Sequence, residues 1–451
     1  MKKYIVLSLA VILFAGKSVL AQDESNFVKH TNIQDKDKDV VITLGTRFTT
    51  DAAYLNSDFS DMKSGAKISE FRVRTSLAYK KWFFYGDFDF GEGKFTQKDL
   101  YVKYQFTDAD NNAQSLKIGY YAEPFSMSLN TSMGSMHFIT RSATVNALGN
   151  PRALGITYKY VNKYIFANQG IFAENKYNNQ IAGSQGVAVG GRYLGIPVNN
   201  ENLTAHVGAS VRYAKINTGE IDKANQILKT NLHVATALEN QVDKNNAFLN
   251  ANIPWANEWY KFGFEGLVKT DKFFARGEYS FDKINKERPD QKLFEAQLGG
   301  LWSWTTLESW QSGNPLDNTN FDGGYIELGY LLKGNKYTYN KEDGLLNGIS
   351  DKGAVELVAR YSYTNLNDIK NGDVFLKGKN KFYPDGVITD YPNESTSIAG
   401  GKLHSATLGV NYVFNKYAKV MCAYTYSNLD NPYFPNDKNF NIVQARFMFS
   451  F

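Results

Sequence analysis

The sequence is almost devoid of cysteine and, beyond its N-terminus, of long apolar runs. Cys422 is the single cysteine among 451 residues, so an internal disulfide and a cysteine-based metal site are both excluded. After the N-terminal segment no apolar stretch approaches the roughly 20 residues that a transmembrane helix requires. The mean hydropathy of −0.40 still admits a membrane protein, because β-barrel strands alternate apolar with polar residues and keep the average low.

Motifs of enzyme active sites and metal sites are also missing. The five histidines are scattered without metal-ligand spacing, and no G-x-S-x-G nucleophile motif occurs. No long segment with helical periodicity interrupts the chain, which disfavours an α/β enzyme. We therefore expect a protein that is not an enzyme and has no catalytic residue, metal or cofactor.

The balance of charge gives no strong bias toward one class of partner. The chain has 50 Lys and Arg residues against 45 Asp and Glu residues. Three of the basic residues (Lys2, Lys3 and Lys17) lie in the N-terminal segment, which leaves 47 basic residues in the rest. We expect no nucleic-acid partner, and any preference for anions must come from the positions of the charges.

The N-terminus has the features of an export signal. Two lysines are followed by an apolar run over 4–15, and Val19-Leu20-Ala21 ends in a small residue suited to signal peptidase. The run is too short to span the bilayer core of about 30 Å. We expect a cleaved signal peptide over 1–21, a periplasmic lead-in over 22–38 and a barrel in the outer membrane over 39–451.

Many segments contain the two-residue alternation that is typical of β-strands. In a soluble sandwich the polar face would contact bulk water, whereas in a barrel the apolar face contacts lipid and the charged face lines a wet lumen. The chain ends in this pattern on an aromatic residue, which favours a transmembrane antiparallel β-barrel. In the last segment one face consists of Val443, Ala445, Phe447, Phe449 and Phe451, and the other of Gln444, Arg446, Met448 and Ser450.

Seventeen segments show this alternation, but a barrel with both ends in the periplasm has an even number of strands. The strands can be counted from the N-terminus or from the C-terminus. Both counts place the tight turns on the periplasmic side only if 293–304 is not a strand. We therefore predict sixteen strands. They cover 39–54, 66–79, 82–90, 95–106, 114–121, 154–160, 164–174, 184–195, 202–214, 259–270, 272–284, 321–333, 354–364, 403–414, 417–427 and 440–451.

The remaining connections are predicted from this count. Long extracellular loops are expected over 215–258, 285–320 and 365–402. The connection over 334–353 is then unusually long for a periplasmic turn. Because sixteen strands enclose more space than side chains can fill, the barrel should contain an aqueous channel.

The segment 117–160 reads KIGYYAEPFSMSLNTSMGSMHFITRSATVNALGNPRALGITYKY and resembles the signature region of the phosphate-selective porin O/P family. The matching features are an E-P-F-S turn, a Ser/Thr-rich stretch, an Arg-Ser pair and a Leu-Gly-Ile. Segments 323–333 and 353–368 and the strands after Gly400 resemble the same family in the same order. The resemblance covers most of the chain after about Val40.

The resemblance implies a sixteen-stranded homotrimeric barrel in which the third extracellular loop, here 122–150, folds into the pore and forms its narrowest point. It also implies that lumenal arginines, a carboxylate and loop residues hold the permeating anion. The positions of this sequence that match are Arg47, Arg72, Arg74, Asp89, Ser132 and Arg141.

This sequence departs from the family pattern at two positions of the loop. Met133 stands in place of a second serine, and Leu129 lies near the position of a lysine. We therefore expect a passive channel for small anionic or neutral solutes, surrounded by outer-membrane lipid, with a modest preference for small anions such as phosphate. A general porin for small neutral solutes is the alternative, in which the arginines pair across the wall with acids such as Asp87, Asp89 and Asp99.

Overall fold

The chain forms a closed antiparallel β-barrel of sixteen strands in a computed structural model. Each strand pairs with its neighbour in sequence, and the last strand pairs with the first. The structure describes residues 31–35, 40–108, 112–150, 152–174, 186–216, 221–222, 227–228, 231–254, 256–286, 306–312, 317–370 and 397–451.

The barrel strands are labelled β1 to β16 in chain order. They are β1 Val40–Ser57, β2 Gly65–Tyr79, β3 Trp82–Asp89, β4 Thr96–Thr107, β5 Ala113–Ala122, β6 Arg152–Val161, β7 Ile165–Glu174, β8 Gly186–Asn199, β9 Thr204–Lys215, β10 Ala256–Lys269, β11 Phe273–Lys286, β12 Thr319–Lys333, β13 Ala354–Asp368, β14 Ile398–Asn415, β15 Ala418–Asp430 and β16 Asn439–Ser450.

Closure of the barrel pairs β1 with β16, placing Phe48 opposite Phe449. A closed sheet satisfies backbone N–H and C=O groups inside the protein and leaves no open edge, as a hydrocarbon environment demands. A short strand, Thr31–Asp35, adds to the start of β1 through a pairing that sets Ile33 opposite Ile42. It lies in the segment expected to lead into the barrel.

The two faces of the wall separate as the alternation predicts. On β16, Phe447 and Phe449 are each 39% exposed on the outer face, whereas Arg446 is 1% and Met448 3% exposed on the inner face. Leu408 of β14 is 65% exposed. Apolar side chains therefore cover the outside of the barrel, and the inner face carries the charged residues.

The predicted fold class and strand count are confirmed, and the predicted strand ends differ from the observed ones by at most five residues. The segment 293–304, assigned to a loop, lies outside the described residues. The loop expected over 215–258 carries a hairpin in which Asn231–Thr236 pairs with Leu249–Pro254. This hairpin packs against β14, where its Leu249 and Ala251 join a buried apolar cluster with Leu403.

The long connection between β12 and β13 also has an explanation. This connection contains a hairpin in which Tyr339–Asn340 pairs with Leu345–Leu346. The hairpin lies against the inner face of the barrel, where Arg192 Nη2 of β8 donates to Gly344 O at 2.8 Å. Tyr337 donates through its hydroxyl to Glu356 of β13 at 2.7 Å. A turn of ordinary length could not reach both strands.

Helices are few and short in the described part of the chain, and none of them is long and apolar enough to cross a membrane. Two lie between β5 and β6, Met127–Asn130 and Ala143–Leu148, with a 3-10 turn at Met133–Ser135 between them. We call this connection the β5–β6 segment (residues 123–150). The strand periodicity did not predict its helices.

Candidate functional site

Three of the predicted arginines lie on the inner faces of β1 and β2. Arg47 stands opposite Arg72 in the register of the two strands. Arg47 Nε donates to Glu70 Oε2 at 2.9 Å, and Arg72 Nε donates to Asp87 Oδ1 at 2.9 Å. Inward-facing guanidinium groups are thus held next to each other because carboxylates lie between and beside them.

Arg74, Asp89 and Ser132 occupy the same region. Arg74 Nε lies 3.6 Å from Asp87 Oδ2, and Lys98 Nζ lies 3.2 Å from Asp89 Oδ2. Asp89 also accepts hydrogen bonds from two backbone N–H groups near the end of β3. Ser132, from the β5–β6 segment, accepts a bond from Arg47 Nη1 at 3.3 Å. The barrel wall and the segment therefore meet at this cluster.

The side chain of Arg141 links two parts of the β5–β6 segment. Its Nε donates to Ser128 O at 2.9 Å and its Nη2 to Thr131 O at 2.9 Å. No carboxylate in the described part of the chain forms an ion pair with it. Burial, more than any neighbouring charge, lowers the pKa of Arg141 to about 10, so the guanidinium remains charged at neutral pH.

The first helix of the β5–β6 segment is fastened to β11. Glu278 accepts hydrogen bonds from the hydroxyl of Ser126 at 3.0 Å, from Met127 N at 2.6 Å and from Ser128 N at 3.0 Å. A carboxylate at this end of a helix satisfies N–H groups that have no partner within the helix. The start of the segment is fixed by a side chain of the opposite wall.

The rest of the segment is fastened to strands farther along the barrel. His137 Nδ1 lies 2.7 Å from Glu356 Oε1 of β13, and Lys419 Nζ of β15 donates to Gly134 O at 3.0 Å. Arg360 Nη1, also on β13, donates to Thr140 O at 2.7 Å. Arg360 Nη2 contacts Glu239 at 2.5 Å, and this glutamate accepts from Ala143 N.

The inner wall of β1 to β8 lines a cavity of about 730 Å³. Five predicted site residues line it, whereas Arg47 lies beneath Ser132 and is 0% exposed. Among the described residues at its surface, twelve are basic and six are acidic. The basic residues are Arg72, Arg74, Lys80, Lys94, Lys98, Lys103, Lys117, Arg141, Arg152, Lys159, Arg192 and Lys244, and the acidic ones are Glu70, Asp87, Asp89, Glu92, Asp99 and Asp343.

Several of these residues were not singled out by sequence reasoning. Lys117 and Lys159 lie at inward positions of β5 and β6, so strand parity alone could have identified them. Glu70 could have been found in the same way on β2. Lys244 belongs to the connection between β9 and β10, where no periodic pattern predicts its direction.

This geometry can hold and pass ions without any chemical step. Arginine and lysine side chains on a wetted wall bind oxyanions through charged N–H donors, and rings of mixed charge set ion preference. The acids that pair with Arg47 and Arg72 reduce the local field but leave the excess of basic residues in place.

A closed barrel with an apolar exterior and a charged, hollow interior is the architecture of an outer-membrane porin. The chain belongs to the phosphate-selective porin O and P family, whose sequence profile matches residues 42–451. The fold and the family both point to a channel in the outer membrane through which solutes pass.

Solved structures of outer-membrane proteins are similar to this chain at low sequence identity. The outer-membrane channel DcaP of Acinetobacter baumannii is 12% identical, with a TM-score of 0.51 over 93% of this chain and 99% of its own. OmpT of Vibrio cholerae is 11% identical, with a TM-score of 0.50 over 93% and 100%. An anion-selective porin from Comamonas acidovorans is 12% identical, with a TM-score of 0.49 over 91% and 100%. None of the curated proteins gave a significant match.

Proposed function

We propose that the protein is a passive, water-filled channel with a modest preference for small anions, phosphate among them. The observation that carries this proposal is the charge of the cavity surface, where the described lining residues include twelve basic and six acidic ones. Outside the N-terminal segment the whole chain is nearly balanced, so the excess is concentrated at the place where solutes pass. A wall of one net sign raises the local concentration of the opposite ion.

The test is a planar-bilayer recording of the purified protein across a potassium chloride gradient. An anion-biased reversal potential supports the proposal, and a cation-biased one rejects it. Addition of phosphate to the chloride solution should reduce the chloride current if phosphate occupies the same cluster. An unchanged chloride current would remove phosphate from the proposed solutes.

The β5–β6 segment is proposed as the constriction of this channel. Its anchors on β11, β13 and β15 and its contact with Arg47 on β1 support that role. A connecting segment at membrane depth is tolerated where it is buried in protein or lines water. Ser132 and Arg141 would then present a hydroxyl and a fixed positive charge to a passing anion.

A second candidate function is diffusion of small neutral solutes with little ion selectivity. It is favoured by the pairing of Arg47 with Glu70 and of Arg72 with Asp87, because a paired guanidinium attracts anions less strongly. Met133 and Leu129 line the cavity at positions where the family pattern has a serine and, nearby, a lysine. They provide neither a hydrogen-bond donor nor a charge. Liposome-swelling rates that depend on sugar size, together with a reversal potential near zero, would favour this function.

The assembly and export of the protein belong to the same proposal. We infer a homotrimer that is exported through the periplasm by a signal peptide over 1–21, and a channel without enzymatic activity. A trimer predicts insertion events with three equal conductance steps and a trimeric mass in mild detergent. Mass spectrometry of the mature protein should give an N-terminus at Gln22.

A further inference from the structure

Four aromatic side chains follow one another along the inner wall formed by β3, β4 and β5. Tyr85 and Tyr101 are stacked, with ring centroids 5.2 Å apart and an interplanar angle of 30°. Phe83 stacks on Tyr85 at 6.2 Å, and Tyr121 meets Tyr101 edge-on at 5.9 Å. All four rings line the cavity, and we call them the aromatic strip.

Glycines occupy neighbouring inward positions beside this strip. Gly119 of β5 stands opposite Tyr101 with a φ of +147°, and a Cβ there would lie 2.2 Å from Leu100 O and 2.7 Å from the Cβ of Tyr101. Gly155 of β6 pairs with Gly119, and its Cβ would lie 2.3 Å from a ring carbon of Phe172, which packs edge-on against Tyr121. Glycine weakens a strand, and at these two sites it permits the close approach of β4 and of the Phe172 ring.

Lysine ammonium groups lie beside the faces of the strip. Lys117 Nζ is 4.3 Å from the ring centroid of Tyr121 and 4.9 Å from that of Tyr101. Lys103 Nζ is 4.9 Å from the ring centroid of Phe83. Cations at these distances are attracted by the ring faces, which fixes positive charge within one side-chain length of an apolar, planar surface.

Two carboxylates on this wall are each bound by an arginine. Asp99 binds Arg152 Nε at 2.7 Å, and Asp87 binds Arg72 Nε at 2.9 Å. Phe83 and Tyr85 are half-buried, whereas Tyr121 is 2% exposed, so the Phe83–Tyr85 end of the strip is the part that a solute can contact. A ligand that fits this surface has a flat apolar part and a negative charge.

We propose that the aromatic strip binds small organic anions that carry a planar ring, with aromatic carboxylates as the substrate class. The ring of the solute stacks on Phe83 and Tyr85, and its carboxylate lies near the ammonium group of Lys117, which is partly exposed beside the ring of Tyr101. This inference deepens the proposed function and rests on it for the positive charge of the lumen. Inorganic phosphate has no apolar surface and would pass the strip without stacking.

The experiment compares benzoate with acetate as additions to a chloride solution in planar-bilayer recordings. The two anions share a carboxylate and differ by the ring. Benzoate should halve the chloride current at a concentration about tenfold lower than acetate does, since aromatic contacts contribute on that scale. Equal effects of benzoate and acetate on the wild-type channel would overturn the proposal.

Variants assign the effect to the strip. Tyr85→Ala and, independently, Phe83→Ala should reduce the difference between benzoate and acetate to within about twofold, whereas Tyr85→Phe should retain it. Tyr424→Ala, on the outer face of β15, is the matched control and should behave as the wild type. If both alanine variants conduct chloride normally and keep the benzoate effect, the strip is not the binding surface.

The same recordings separate this inference from the proposed anion preference. An anion-biased reversal potential with no benzoate effect would reject the strip alone. A cation-biased reversal potential with a benzoate effect that Tyr85→Ala removes would reject the general anion preference and leave the strip supported.

Discussion

Strands β1 to β8 and strands β10 to β16 both turn charged side chains inward, but the two walls have different surroundings. The first wall lines the cavity. No described residue of the second wall does so, and its charged groups bind the β5–β6 segment and Glu239 of the β9–β10 connection. Some charges of the first wall, such as Arg192, also hold protein segments, but the others reach the cavity surface.

Ion pairs in the barrel also differ in exposure, and exposure determines how much stability should be lost when a pair is broken. Arg360 and Glu239 on the second side are 1% and 0% exposed in their side chains. The first side also contains buried pairs such as Arg72–Asp87, but its Lys67–Glu92 pair is 24% and 48% exposed. Breaking a buried pair leaves an uncompensated charge in a medium that solvates it poorly, whereas an exposed pair exchanges its partner for water.

The largest effect should follow from breaking the second wall. Arg360→Met leaves Glu239 without its cation and removes the bond to Thr140 O, so we expect the barrel to lose about 3–5 kcal/mol of stability. The measurement is the temperature at which the folded form disappears in detergent. Lys67→Met is the control and should change stability by no more than about 1 kcal/mol. Similar losses in both variants would contradict the energetic difference between the buried and the exposed pair.

The next largest effect concerns the ion preference of the cavity that the first wall and the β5–β6 segment line. Arg141→Ala removes a charge that has no carboxylate partner in the described part of the chain, and the anion-to-cation permeability ratio should fall roughly twofold to fivefold, since a unit charge at about 4 Å in water is worth about 1 kcal/mol. Arg141→Lys should retain most of the ratio. A reversal potential that does not differ between Arg141→Ala and the wild type would remove Arg141 from the permeation path.

Two substitutions at the cavity surface should increase the affinity of the channel for phosphate. Met133→Ser restores a hydroxyl at the cavity, and Leu129→Lys restores a cation. In the double variant, phosphate should halve the chloride current at a concentration several-fold lower than in the wild type. The reason is that the new lysine adds a charge-assisted hydrogen bond to phosphate and the new serine adds a neutral one. No change in phosphate sensitivity would mean that these two positions do not contact the anion.

The smallest effect is that of salt. The charges of the cavity surface include partly exposed side chains such as Lys98, so raising the ionic strength from about 0.1 M to 1 M, which shortens the Debye length from about 10 Å to 3 Å, should reduce anion preference. The stability contributed by the Arg360–Glu239 pair should hardly change over the same range, because buried pairs are screened much less. Equal salt dependence of the two quantities would contradict the comparison.

The sequence could predict the barrel because a two-residue period reports directly which face of a strand is apolar. The even number of strands follows from a barrel with both ends in the periplasm, and tight turns such as the one at Lys80 indicated which segment is not a strand. The inward direction of Arg72 and Arg74 followed from the same period. The partners of those arginines could not be predicted, since Asp87 and Asp89 both lie on the adjacent strand and Arg72 binds Asp87 although the register places Asp89 opposite it.

The parts that sequence could not predict depend on non-local contacts. The helix Met127–Asn130 is too short to show a period, and it begins where Glu278, 151 residues away from Met127, accepts its N–H groups. The contact of Glu239 with Ala143 likewise joins two connections whose directions no local pattern specifies. Such segments take their shape from the wall against which they pack.

The measurement that tests the central claim most directly is the reversal potential of the purified wild-type protein in a planar bilayer across a potassium chloride gradient. A channel in which the described part of the cavity surface carries twice as many basic as acidic residues should pass chloride more readily than potassium. A potential of cationic sign, or a protein that forms no channel in the bilayer, would contradict the account.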